Sequence, residues 1–136
     1  MSFFGKMYKL DRSENFEAFV ECYKLSPELT HEFINSNLSE KLDKDGDEYT
    51  ITTIYKEGQS FENKFKSGVK FDEIPRPGVI IPNSVITVDG NKFTHVQAFE
   101  DGNSITYVKE YSPEELVVTI TSNFWPGTAK RFFVAE

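Results

Sequence analysis

With 136 residues the chain is long enough to bury one hydrophobic core and too short for two, so it reads as a single domain over residues 1–136. A net charge of −7, from 15 Lys and Arg against 22 Asp and Glu, excludes a protein whose main task is to grip phosphate backbones, and no nucleic-acid partner is expected. The lone Cys22 cannot form an internal disulfide, no apolar run approaches a membrane span, and the segment before Leu10 lacks a signal-peptide apolar block, so the expected location is the cytoplasm.

A first strand is expected over about residues 5–11. Behind it, Phe16, Phe19, Val20 and Tyr23 fall at i, i+3, i+4 and i+7, the stripe of an amphipathic helix with Ser13 as its cap. A second short helix is expected next: Ser26 caps, Pro27 suits the first helical position, Glu28 complements the positive end, and Leu29 with Phe33 makes one face. Turn dipeptides then recur at Asp45-Gly46, Asp89-Gly90, Asp101-Gly102 and Pro126-Gly127, with a further turn at Ser112-Pro113-Glu114-Glu115. Strand-plus-turn spacing of this kind marks an all-β barrel or sandwich with roughly nine more strands.

Between the turns the side chains alternate. Phe61, Asn63, Phe65, Ser67, Val69 and Phe71 oppose Glu62, Lys64, Lys66, Gly68 and Lys70. Period two returns in Phe93, His95, Gln97 and Phe99, in Ile105, Tyr107, Lys109 and Tyr111, and in Ala129, Arg131 and Phe133 against Lys130, Phe132 and Val134. These later strands carry polar and apolar residues on both faces, as a barrel with a partly polar lumen would. With 13 Phe, the interior should be aromatic.

Chemistry-bearing motifs are scarce. His31 and His95 lie far apart with no ligand partners at zinc spacing, and Asp43, Asp45 and Asp47 around Gly46 fit a hairpin turn better than a calcium loop, whose glycine would come later. No nucleophile elbow or Ser, Cys and His arrangement stands out, and Cys22 fits a small buried hydrophobe. No metal, cofactor or enzymatic activity is expected.

The segments Phe4-Gly5-Lys6-Met7-Tyr8-Lys9-Leu10, Phe65-Lys66-Ser67-Gly68-Val69-Lys70-Phe71-Asp72-Glu73, Val88-Asp89-Gly90-Asn91-Lys92, Thr94-His95-Val96-Gln97 and Val117-Val118-Thr119-Ile120-Thr121 resemble the intracellular fatty-acid-binding protein family, which includes retinoid carriers. The resemblance spans essentially the whole chain, and the end, Ser122 to Phe133, looks most like insect members. It implies a ten-stranded antiparallel flattened barrel with a two-helix lid between the first and second strands. It also implies a carrier of one long-chain fatty acid or similar anionic lipid, a retinoid or other isoprenoid acid being the alternative. Such carriers act as monomers with transient membrane contact.

The family commonly holds the ligand carboxylate with an Arg-x-Tyr pair on the last strand and a basic residue two strands earlier in the sheet. By position, Arg131 matches the arginine and Lys109 the second basic residue. Phe133 stands at the tyrosine position, where it has no donor to offer. Phe16 is on the first lid helix, as both core and portal wall, and Tyr107 and Phe65 lie on the alternating runs, so the ligand-facing set that the resemblance implies is Arg131, Lys109, Phe133, Phe16, Tyr107 and Phe65. Without the resemblance, Arg131 could equally be an exposed strand arginine, and Lys109 a surface partner of a neighbouring carboxylate.

Overall fold

The computed structural model describes residues 3–21, 38–56, 59–76, 79–99 and 101–136. The elements run β1 (Met7–Glu14), α1 (Phe16–Glu21), β2 (Ser39–Asp45), β3 (Glu48–Lys56), β4 (Gln59–Lys66) and β5 (Phe71–Arg76). The second half is all strand: β6 (Val79–Asp89), β7 (Lys92–Ala98), β8 (Ser104–Tyr111), β9 (Glu115–Ser122) and β10 (Ala129–Ala135). All ten strands join one antiparallel sheet in the order β4-β3-β2-β1-β10-β9-β8-β7-β6-β5. Because β1 pairs with both β2 and β10, the meander curls back on itself into a nearly closed barrel. The expected second helix, with Cys22, Tyr23 and His31, lies outside the described residues.

The seam falls between β4 and β5, which share no backbone ladder among the described residues. Side chains bridge it, Phe65 of β4 stacking on Phe71 of β5 at 5.7 Å. Asn63 donates from Nδ2 to the carbonyl of Ile74 at 2.7 Å and accepts from the Ile74 amide at 2.6 Å, replacing with its amide the two bonds a neighbouring strand would make.

Gly46, Gly90 and Gly102 each take positive φ in the tip joining two strands, and Ser112 closes its turn through bonds to Glu115, whereas Pro126-Gly127 lies within the longer connection between β9 and β10. Three local expectations need correction. The alternation from Phe61 to Phe71 is not one strand, since β4 stops at Lys66, a turn with Gly68 at φ 75° intervenes, and Val69 is 53% exposed. Ser13 is not the helix cap, because β1 continues to Glu14; Asn15, at φ 58°, accepts the first helical bond, from the Phe19 amide. The first strand also starts later than expected, at Met7, and runs on past a bulge to Glu14.

That bulge sets which residues look inward. Leu10 pairs with Phe133 but Arg12 pairs with Phe132, so Asp11 is an extra residue without its own partner. Tyr8 and Leu10 share the inner face before it; beyond it the parity changes, Ser13 pairs with Arg131, and Arg12 is sent outside, 4.0 Å above the Phe132 ring.

Aromatic rings fill one end of the barrel. Phe3 stacks on Tyr111 at 5.0 Å, Phe93 meets Tyr111 and Tyr49 edge-on at 5.2 and 5.6 Å, and Tyr49 stacks on Phe65 at 5.2 Å. At the other end α1 buries Phe16, Phe19 and Val20 and is held to the β9–β10 connection. Phe19 lies 5.6 Å from Trp125, and Asn15 donates to the Thr128 carbonyl. A Cβ at Gly127 would overlap the six-membered ring of Trp125. Gly127→Ala is therefore expected to cost about 1–3 kcal/mol and displace the indole. Trp125 is the sole tryptophan, so urea unfolding followed by its emission reads both effects, and an unchanged midpoint and spectrum would contradict this packing.

Candidate ligand site

The antiparallel register places Arg131 (β10), Val118 (β9), Lys109 (β8) and Phe93 (β7) in one row across the inner wall, directly above the aromatic end. Arg131 is 8% exposed. Its Nε donates to Ser13 Oγ at 3.1 Å, its guanidinium carbon stands 3.8 Å from the Phe16 ring centre, and its buried Nη2 has no hydrogen-bond partner among the described residues. No carboxylate lies within ion-pair distance of it among the described residues. Burial pulls its pKa down to about 10, with Tyr107 and Glu40 partly opposing, so the group is still a cation at neutral pH. The result is a desolvated charge with an open bonding direction, an arrangement that favours an incoming anion.

Lys109, two strands away as expected, also points inward and is 8% exposed, but its charge is already matched. Its Nζ donates to Glu40 Oε1 at 2.9 Å, and Tyr111 donates its hydroxyl to the same oxygen at 3.1 Å. Glu40 belongs to β2, so the pair ties opposite walls of the barrel. Burial first, then the negative charge and hydrogen bond of Glu40, push the Tyr111 phenol well above its ordinary 10.0 and keep it a donor.

A second polar cluster lines β5 to β8. Both oxygens of Glu73 are engaged: Oε1 accepts from Ser84 at 2.7 Å and from His95 Nε2 at 2.6 Å, and Gln97 Nε2 donates to Oε1 and Oε2 at 3.1 and 3.0 Å. Gln97 Oε1 in turn accepts from the Tyr107 hydroxyl at 3.1 Å. Burial works to raise the Glu73 pKa, yet the bonds and charge of His95, with Ser84 and Gln97, outweigh it and the net shift is downward from 4.5. A lowered folded value means that the carboxylate stabilises the fold above the unfolded range and loses that contribution as the pH falls. Glu73→Gln should therefore cost about 2–4 kcal/mol at neutral pH by leaving donors unmatched. The gap to wild type should close below the ordinary value of 4.5, and urea midpoints across that range check it; a gap independent of pH would rule out the ionised carboxylate.

The other expected residues are all inside. Phe16 covers the Arg131 guanidinium, Tyr107 lies 5.2 Å from the His95 ring, and Phe65 is sandwiched between Tyr49 and Phe71. Phe133, 2% exposed, pairs in register with Leu116 and Leu10. Arg131 is thus brought together with Phe16 and Ser13, while Lys109 joins Glu40 and Tyr111, and Phe65 belongs to the aromatic end. Sequence reasoning missed Ser13, Glu40, and the grouping of Glu73, Ser84, His95 and Gln97; for the last, period two had already aligned His95 and Gln97 with Phe93.

No family model matches the sequence. Fatty acid-binding protein 2 of Manduca sexta is 39% identical over 135 residues, covering 99% of this chain and 100% of that one. The solved fatty-acid-binding protein of the same insect superposes with a TM-score of 0.89 at 38% identity, over 98% of this chain and 100% of that chain. A Schistosoma mansoni fatty acid binding protein solved in complex with arachidonic acid gives a TM-score of 0.86 at 25% identity, over 98% of this chain and 96% of that one.

Proposed function

Because this chain belongs to the fatty-acid-binding protein family, we propose that it is a non-enzymatic intracellular carrier that encloses one long-chain fatty acid, with the carboxylate on Arg131. The observation that carries this reading is the contrast between the two inward cations. Lys109 already has Glu40, whereas Arg131 has, among the described residues, only a hydroxyl, an aromatic face and an unpartnered Nη2. A carboxylate would complete the arginine's bonding and neutralise it in a low-dielectric setting. Lys109 stands in the same row, about two strand spacings or 10 Å away, and shapes the head-group field from there, its charge shared with Glu40. Most of the affinity comes from the tail: about 0.8 kcal/mol for each buried methylene gives a ceiling near 12 kcal/mol for roughly sixteen carbons, reduced by ordering costs. The long-chain ligand of the Schistosoma relative supports this class.

Displacement of a fluorescent anionic fatty-acid probe tests the reading. Oleate and palmitate should displace it at one site, and their methyl esters should do so at least about tenfold more weakly, since a hydrogen bond to a charged group is worth roughly 1.5–3 kcal/mol. Equal displacement by acid and ester would remove the carboxylate contact.

A further inference from the structure

An unsubstituted fatty acid leaves part of this barrel unexplained. The row next to Arg131, two residues nearer the β9–β10 turn and α1, contains Ala129, Ile120, Tyr107 and His95 in register. A tail leaving Arg131 away from the aromatic end must pass it. Around His95 gather Glu73, Gln97 and Ser84, all buried, so this wall is polar where a plain hydrocarbon would want it apolar.

The donors in the cluster have a fixed direction. Glu73 is a carboxylate and can only accept, so His95 must donate from Nε2. Among the described residues the ring's one hydrogen bond is through Nε2, which leaves Nδ1 open, and the ring, 6% exposed, is held between Phe71 and Tyr107. A neutral imidazole offers a lone pair there and a protonated one offers an N–H; a hydroxyl, being donor and acceptor, satisfies either. His95 lies three strand spacings across and two residues along from Arg131, about 16 Å measured on the sheet and less across the lumen, which excludes a group adjoining the carboxylate.

We propose that His95, oriented by Glu73 and flanked by Gln97 and Tyr107, is a second recognition point that takes a hydroxyl borne in the middle of the ligand's chain, making a monohydroxylated long-chain fatty acid the preferred cargo. The proposal rests on the carboxylate lying at Arg131, and its test separates the two.

Stearate and the positional series of monohydroxystearates are titrated against the full chain, each beside its methyl ester. At least one mid-chain isomer should bind about fivefold or more tighter than stearate, the increment of one net hydrogen bond. A gain below about fivefold for every isomer overturns the proposal. In His95→Phe the favoured isomer should fall to within about twofold of stearate measured on the same variant, and a gain that persists also overturns it. Should that variant fail to fold, the ring nitrogens of the wild type decide. The favoured hydroxystearate should shift the His95 Nδ1 resonance and stearate should not, while equal shifts refute the contact. Acid and ester binding alike would sink the Arg131 reading alone, because hydroxyl discrimination within the ester series still reports on His95.

Discussion

Arg131→Ala is expected to weaken fatty-acid binding by about 1.5–5 kcal/mol, the lower end applying if water rehydrates the head group. Among the described residues the guanidinium has an open Nη2 and no carboxylate neighbour, so the variant takes an unmatched cation from a bound carboxylate. A fatty alcohol of equal length keeps the tail contribution and should lose much less, which makes the acid-to-alcohol ratio, measured by calorimetry, the deciding quantity. The unliganded variant should unfold no earlier than wild type, since a desolvated charge has been removed and the hydroxyl it bonded belongs to the exposed Ser13. Equal losses for acid and alcohol, or a large drop in melting temperature, would assign Arg131 to the architecture of the barrel.

Lys109→Met should have the opposite profile, with stability falling by about 3–5 kcal/mol because Glu40 is left buried without its cation. Adding Glu40→Gln to that variant should return most of the loss: the uncharged amide oxygen still accepts from Tyr111, and no net charge remains between the two walls. Urea unfolding of the four proteins in the cycle gives the coupling directly. If the double variant is as unstable as the single, the ion pair is not the source of the effect. Glu40→Gln alone should also tighten fatty-acid binding, because it leaves Lys109 as a second inward cation without a competing carboxylate.

The strand pattern was legible because it is written locally. Asp45-Gly46, Asp89-Gly90 and Asp101-Gly102 need only a glycine at positive φ to end a strand, while parity aligns Lys109 with Tyr107 and Tyr111 and Arg131 with Ala129 and Phe133 without saying which face is inward, and the family resemblance supplied that side. What stayed hidden depends on which wall faces which. Glu40 sits among Ser39, Lys41 and Leu42 with nothing to mark it as the partner of a lysine 69 residues away, and Glu73 meets His95 and Gln97 only once β5, β6 and β7 are laid side by side. Val69 aligns with Phe65 and Phe71 in the sequence because alternation runs on through a turn whose glycine reads as one more strand position. Ser13 looked like a helix cap because a bulge has no signature in residue types, and only pairing against β10 shows that Asp11 is surplus.

The surplus residue at Asp11 makes β1 tolerant of a change in length at one point and intolerant elsewhere. Excising Asp11 would leave Leu10 opposite Phe133, Arg12 opposite Phe132 and Ser13 opposite Arg131, so every neighbour keeps its side of the wall. Excising Lys9 instead, with the pairing beyond the bulge held in place and the bulge drawn straight, would turn Asp11 into the lumen and Leu10 out to solvent. Loss of one residue at the bulge thus leaves every other side chain on its own face, whereas loss of Lys9 would put a carboxylate into the interior.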